Sequence, residues 1–306
     1  MLEMESLTIH TVSRCNRFFA TETRHPLVSV IRLSEGADIP ESVRFGFYTL
    51  WLKKWTGGIC PSRFGQKTCD FNDGTLIPLQ PGRPAVPELS KGANGTGRLL
   101  CFQASIFDPL TLRKGSDNYS FFRYRPEESL HLSRREREIL EREMDGIEME
   151  LNWGVDECSR TILAQRIRLT LDYTLRFYRQ QFILRHAENQ ELVNRTDLEL
   201  EASFRSGRAR SVQIPAAKEL AGLFGCSEAY FNDLLKQETG KRTPDYVQCK
   251  RIAFARELLR QGRSSVEEVA AQLGFRSDPA FCALIKRLAE MPPQGSFRQS
   301  DAHPLN

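Results

Sequence analysis

Glu219-Leu220-Ala221-Gly222-Leu223-Phe224-Gly225 and Glu268-Val269-Ala270-Ala271-Gln272-Leu273-Gly274 are two versions of one pattern. In each, an apolar residue and a small Ala are followed by a large apolar residue and then Gly. The Ala lets two short helices cross closely, and the Gly lets the first helix end in a left-handed conformation that a side chain would oppose. A second helix is predicted after each Gly. Ser227 can N-cap the first, followed by Tyr230, Phe231, Leu234, Leu235 and Lys236. In the second copy Asp278 is the N-cap, Pro279 suits the first helical position, and Phe281, Leu284, Ile285 and Lys286 take the corresponding places. Ser265 to Glu268 is a capping box, and Pro244 to Arg260 fits one continuous helix between the copies. A lone pattern of this kind is imitated by any helical hairpin with a Gly turn. Two copies with parallel internal spacing point to a tandem helix-turn-helix rather than a bundle with accidental repetition.

The rest of the chain is read outward from there. Its 306 residues are 40% hydrophobic and 27% charged, which suits a soluble protein of roughly two domains. The net charge of +4 is small, but it is unevenly placed. From Ser203 to Asn306 there are 16 Lys/Arg against 11 Asp/Glu, a net of +5, so the remainder carries −1. The last third therefore has the charge expected of a segment that meets a polyanion, or of a basic solvated surface. The cysteines at 15, 60, 69, 101, 158, 226, 249 and 282 include no C-x-x-C pair, which disfavours a zinc knuckle or a dithiol redox motif. Met1 to Ser6 has no basic n-region or apolar h-region, and no apolar run approaches the ~20 residues of a membrane span. The expectation is a cytoplasmic protein without membrane contact.

Up to about Phe107 the pattern is one of short strands. Leu27 to Leu33, Phe45 to Leu52, Leu76 to Leu79 and Arg98 to Gln103 are separated by turn signals at Asn72-Asp73-Gly74 and Gln80-Pro81-Gly82. That spacing predicts a β-sandwich or small barrel over about 20–110. The period then changes. Ser133 to Glu136 is a capping box opening a helix to about Asn152, and a longer helix is predicted from Asp156 to about His186. These helices pack on the sheet or pair with a second subunit. The chain turns polar around Glu199 to Arg210, where the domain linker is placed, with Leu198 to Phe204 belonging either to it or to the first helix of the next domain. The expected division is thus 1–190, a linker at 191–210, and 211–306. The fold class is α+β, a β-barrel or sandwich with a helical pair followed by an all-α domain with two helix-turn-helix units.

The C-terminal stretch from Ser211 to Arg298 resembles the DNA-binding domain of AraC-type transcription regulators. The resemblance is carried by Ser227, Tyr230-Phe231, Lys236, Gly240, Tyr246, Arg251, Ala255, Leu258-Leu259, Ala270, Gly274-Phe275, Phe281 and Lys286. It implies that the two units enter successive major grooves of double-stranded DNA. The N-terminal half is similar to the sensor region of a subgroup of these regulators through His25-Pro26-Leu27-Val28, Gly46-Phe47-Tyr48, Asp73-Gly74-Thr75-Leu76 and Pro81-Gly82. That similarity implies a cupin-like β-fold followed by dimerisation helices, hence a homodimer. The regulator is expected to answer to a small-molecule effector or a partner; whether it is an activator, which would contact RNA polymerase, or a repressor stays open.

Where members often have an Arg on the second recognition helix, this chain has Cys282-Ala283. Neither side chain can make the bidentate contact to guanine that discriminates bases strongly. Glu290 stands where a Gly is usual, and Met291 to Gly295 is a variant closing turn. The expectation is that Ser227, Glu228, Asn232 and Lys236 of the first unit do most of the base reading. Arg276, Ser277, Lys286 and Arg287 of the second would mainly contact phosphate. Asp233 would accept from cytosine, orient an Arg, face solvent or join a structural pair. A cupin-type metal enzyme is the competing class, but the five His (10, 25, 131, 186 and 303) form no close pair. Neither a phosphate loop nor a nucleophile elbow is found, so no catalytic residue, metal or cofactor is expected. Phe45, Phe47, Tyr48, Trp51 and Trp55 either line an effector pocket or belong to the core. A third class is a DNA-binding protein whose N-terminal half only dimerises, which the sequence barely separates from a ligand sensor.

Overall fold

In a computed structural model of the chain, the described residues are 7–34, 43–55, 65–84, 95–107, 119–206, 216–262 and 265–274. The chain divides into two compact units, Met1–Glu191 with Ala221–Gly240, and Leu192–Leu220 with Lys241–Asn306. The expected division kept the helix-turn-helix segment whole. By its contacts, 221–240 instead groups with the N-terminal residues.

The first unit contains β1 (Thr8–Ile9), α1 (Val12–Phe18), β2 (Val28–Leu33), β3 (Arg44–Phe45), β4 (Tyr48–Trp55), β5 (Gly74–Leu79), β6 (Gly95–Phe102) and β7 (Leu130–Leu132). Five of them form one antiparallel sheet in the order β2-β6-β4-β5-β7, and β1 pairs with β3 in parallel. Alternation along each strand sends successive side chains to opposite faces. Ile31, Leu33, Trp51, Ile77, Leu79, Leu99 and Cys101 join Val12 and Cys15 of α1 and Phe45 and Phe47 in one buried cluster. From the other face Arg32 and Arg98 reach Asp145, and Arg32 also reaches Glu148, on the helix that covers that side. Because both faces are covered, the strands read as nearly continuous apolar runs.

That covering helix is α2 (Arg134–Trp153). It starts as predicted, with the Ser133 and Glu136 side chains each accepting from the other's backbone N–H. The next helix, α3 (Ser159–Leu184), begins three residues later than Asp156. Asp156 Oδ1 accepts from the Cys158 and Ser159 N–H groups and from Ser159 Oγ, each at 2.8 Å, which closes a turn ahead of the helix. Most of the stretch expected as a linker, 191–210, is helical and lies in α4 (His186–Arg205). Val193, Thr196, Leu200 and Phe204 are buried along it at helical spacing. Charged residues on its other faces dilute that stripe, so local composition reads as polar although one face is apolar.

Among the described residues, four more helices follow: α5 (Ala217–Leu223), α6 (Glu228–Thr239), α7 (Thr243–Arg260) and α8 (Val266–Gln272). In the second unit, Phe204 packs on Phe254 with ring centroids 5.6 Å apart, and Asp197 accepts from the Tyr246 hydroxyl at 2.6 Å and from Lys250. Arg251 donates to the Leu273 carbonyl and Gln272 to that of Phe204, tying the C-terminal end of α8 down. Its Ser265/Glu268 capping box is present as predicted. Among the described residues, no helix is long and apolar enough to cross a membrane.

Candidate nucleic-acid interface

α5, a short turn and α6 make the first helix-turn-helix. Gly225 has φ +67° and Gly274, closing α8, has φ +73°, the left-handed geometry expected of both. A Cβ on Gly225 would meet nothing within 4 Å, so the backbone angle rather than space calls for glycine there. Ser227 caps α6, its Oγ accepting from the Tyr230 N–H at 3.2 Å. Phe231, Leu234 and Leu235 are buried, which leaves Ala229, Asn232, Asp233 and Lys236 at i, i+3, i+4 and i+7 as one partly accessible face.

The predicted first-unit residues are placed as follows. Glu228 and Lys236 are exposed. Asn232 is half-buried and donates to the Glu228 carbonyl at 2.9 Å, a bond within its own helix. Ser227 is half-buried and engaged beyond its capping role. Arg276, Ser277, Lys286 and Arg287, with Cys282-Ala283 and the closing turn at 290–295, lie outside the described residues.

What the sequence did not reveal is how closely the first unit holds α6. A short 3-10 turn at Pro126–Glu128 brings the Glu128 carboxylate to the helix N-terminus, where it accepts from the Ser227 N–H at 2.6 Å and the Ser227 hydroxyl at 2.5 Å. Arg125 donates to the Gly225 carbonyl at 2.7 Å. On the next turn, Asp233 accepts from the hydroxyls of Tyr124, at 2.5 Å, and Ser120. Of its sequence alternatives, the structural pair is the one found. Tyr230 is buried between the rings of Tyr124 and Phe182, and its hydroxyl accepts from Arg185 at 3.1 Å. At the far end Glu238 accepts from Asn189 and Gln190, both at 2.9 Å, and lies 2.8 Å from His186 Nδ1.

Charge and burial reinforce these contacts. Burial pushes the Tyr124 hydroxyl well above the ordinary tyrosine range, and the adjacent Asp233 carboxylate pushes it further, so Tyr124 stays a donor. Burial raises the Tyr230 hydroxyl as well, against the pull of Arg185. Arg185 is itself buried against a doubly bonded Asp70, with Nε–Oδ1 at 2.8 Å and Nη2–Oδ2 at 2.6 Å. Burial opposes its charge, and the Asp70 carboxylate together with the Tyr230 hydroxyl more than restores it. Cys226, just before the cap, has its thiol pushed up to about 12 by burial.

Phe45, Phe47 and Trp51, named as pocket or core, belong to the buried cluster, while Tyr48 stacks on Phe102 at 5.5 Å from the other face. Among the described residues, no group of three His, Cys, Asp or Glu side chains converges as a metal site would require.

Residues 220–299 match a family described as a helix-turn-helix domain, of the AraC type. Over 88 residues, 29% of its length, the chain is 32% identical to an uncharacterized HTH-type transcriptional regulator, YidL, of Escherichia coli (strain K12). The aligned stretch spans about 30% of that relative. No solved structure matches the chain.

Proposed function

We propose that this chain, which carries an AraC-type helix-turn-helix domain, is a transcription regulator that binds double-stranded DNA at specific sites and answers to a signal received by its N-terminal residues. The observation that carries the reading is the first helix-turn-helix itself. A left-handed Gly225, the Ser227 cap and the Ala229/Asn232/Asp233/Lys236 face all fall inside the matched segment. Asn232 offers an amide suited to adenine, and Lys236 a charge suited to guanine or phosphate. Arg276, Ser277, Lys286 and Arg287 would add mainly phosphate contacts.

The sensing half is read as a cupin-like β-domain whose helices α2 and α3 pair two copies of the chain. Exposed Met149 and Trp153 on α2 and Leu169 on α3 support that pairing, since large apolar side chains left in water favour association. A small-molecule effector is supported by Trp51 Nε1 and Asn16 Oδ1, which are buried with no hydrogen-bond partner among the described residues. A cytoplasmic location and contact with RNA polymerase complete the reading.

Selection of bound fragments from a random duplex library with the full chain tests it. One enriched motif is expected, with affinity falling steeply between 50 and 200 mM salt as counterions are released. Failure to enrich any motif would refute a specific regulator.

A further inference from the structure

We propose that the docking of α6 on residues 119–128 is an autoinhibitory contact in which Glu128 stands in for a DNA phosphate. The inference rests on the reading of α6 as a DNA-reading helix. A helix N-terminus with free N–H groups is a natural seat for an anion, because the unpaired donors and the helix dipole both favour negative charge. In this protein the seat is filled. Glu128, with its side chain buried, takes the Ser227 N–H and hydroxyl together. Asp233, on the face that would enter a groove, is held by Ser120 and Tyr124 from the same short segment.

Geometry makes docking and reading exclusive. An α-helix with its side chains is about 10–12 Å across, and the DNA major groove is about 12 Å wide. No room is left in the groove for a second polypeptide segment within hydrogen-bond distance of the helix cap and its polar face. α6 therefore has to leave Glu128, Ser120 and Tyr124 before it reads bases. A phosphate oxygen can then replace the Glu128 carboxylate on Ser227 without leaving the cap donors unpaired.

The charge on α6 fits this role. Glu228, Asp233 and Glu238 outnumber Lys236, which is unfavourable beside phosphate. Two of those three carboxylates are bonded to first-unit donors, Asp233 to Ser120 and Tyr124 and Glu238 to Asn189 and Gln190. Asp233 and Glu238 are accounted for by the docked state and not by the DNA-bound one.

The test uses the full chain and variants that leave α6 untouched. Glu128→Gln is compared with Glu127→Gln, which removes the same charge from an exposed neighbour. Tyr124→Phe, which deletes one hydroxyl only, is the milder companion should Glu128→Gln fold poorly. Binding to a duplex carrying the selected motif is read by fluorescence anisotropy. The expected result is at least tenfold tighter binding for Glu128→Gln, a smaller gain for Tyr124→Phe, and a change within twofold for Glu127→Gln. Unchanged or weaker binding by both α6-releasing variants would overturn the autoinhibitory contact, as would an equal gain for Glu127→Gln. Adding Asn232→Ala to Glu128→Gln separates this outcome from failure of the underlying reading. If that second change costs no affinity, α6 does not read DNA. If it costs affinity while Glu128→Gln alone gains none, the helix reads DNA without being held back.

Discussion

Replacing Asp70 by Ala removes the partner of a guanidinium that has almost no access to water. The Asp70 side chain is fully buried and that of Arg185 is 4% exposed, with two hydrogen bonds of 2.8 and 2.6 Å between them. Breaking a buried pair from one side costs about 3–5 kcal/mol, because the remaining charge is left without its counter-charge. Arg185 keeps its bonds to the Tyr230 hydroxyl at 3.1 Å and the Gly65 carbonyl at 3.4 Å. These place Asp70→Ala near the lower end, at about 3 kcal/mol. For a unit of roughly 200 residues that corresponds to a fall in Tm of about 6–12 °C. Arg185→Met added to Asp70→Ala removes the stranded charge, so the double variant should be more stable than Asp70→Ala alone. Equilibrium unfolding in urea followed by tryptophan fluorescence measures both as a shift in midpoint at constant slope. A loss below 1 kcal/mol for Asp70→Ala, or a double variant less stable than the single, would refute the argument that burial makes this pair mutually dependent.

Three further outcomes are expected. Gly225→Ala forces a side chain into a left-handed residue and should cost about 1–2 kcal/mol, whereas Gly222→Ala, inside α5 with open space around it, should stabilise by up to about 1 kcal/mol. Equal effects in urea melts would show that φ at Gly225 is not what demands glycine. With its thiol at about 12, Cys226 should react with iodoacetamide at pH 8 about a thousandfold slower than an ordinary thiol, as read by peptide mass spectrometry against the exposed Cys158. Glu128→Gln should speed that reaction, both by removing a carboxylate that raises the thiol and by releasing α6, and equal labelling of Cys226 and Cys158 in the unmodified chain would contradict the burial. Phe122→Leu, which trims a ring packed on Tyr48 at 4.8 Å without touching α6, should tighten DNA binding several-fold at a stability cost of about 1 kcal/mol. Unchanged anisotropy titrations would show that the turn holding Asp233 does not depend on the sheet beneath it.

Local chemistry was the part of this protein legible in sequence. The caps at Ser133, Ser227 and Ser265 and the left-handed glycines at 225 and 274 depend on residues within a few positions, and all five are found. The strands were legible through their β-branched and aromatic runs, except that Gly46-Phe47 divides the predicted 45–52 run into β3 and β4. α4 is legible only in its last turns, from Leu198 to Phe204, because its buried stripe is sparse and its other faces are charged. The seating of α6 was missed for a different reason. Glu128 and Ser227 are 99 positions apart, and Ser120 and Asp233 are 113 apart, so no window of sequence contains both partners. A signal was nevertheless present in the acidity of a helix that should face phosphate. Asp233 and Glu238 together ask for donors elsewhere in the chain, which neither does alone.

The same contacts set what an effector would have to do. Glu128, Asp233 and Glu238 each accept two hydrogen bonds that α6 loses or remakes on release. With a net worth of about 1 kcal/mol for an ordinary protein hydrogen bond, less the ordering each demands, a bias of roughly 3–4 kcal/mol toward the docked state is reasonable. The released helix would then be populated at about 0.1–1%, and apparent DNA affinity would fall by the same factor. A ligand bound equally by both states changes nothing, however tightly it binds. It must prefer the released state by about the same hundred- to thousandfold, which places its contacts on groups that differ between states. The turn at Ser120–Arg123 meets that condition. Phe122 packs on Tyr48 of β4 and Phe102 of β6, Phe121 stacks on Tyr178, and Tyr124 stands between Tyr178 and Tyr230. The hydroxyls that hold Asp233 therefore belong to a segment wedged between the sheet and α6. A ligand that shifts those rings alters the hold on the helix directly, whereas one confined to the opposite face of the sheet has to move β4 or β6 first.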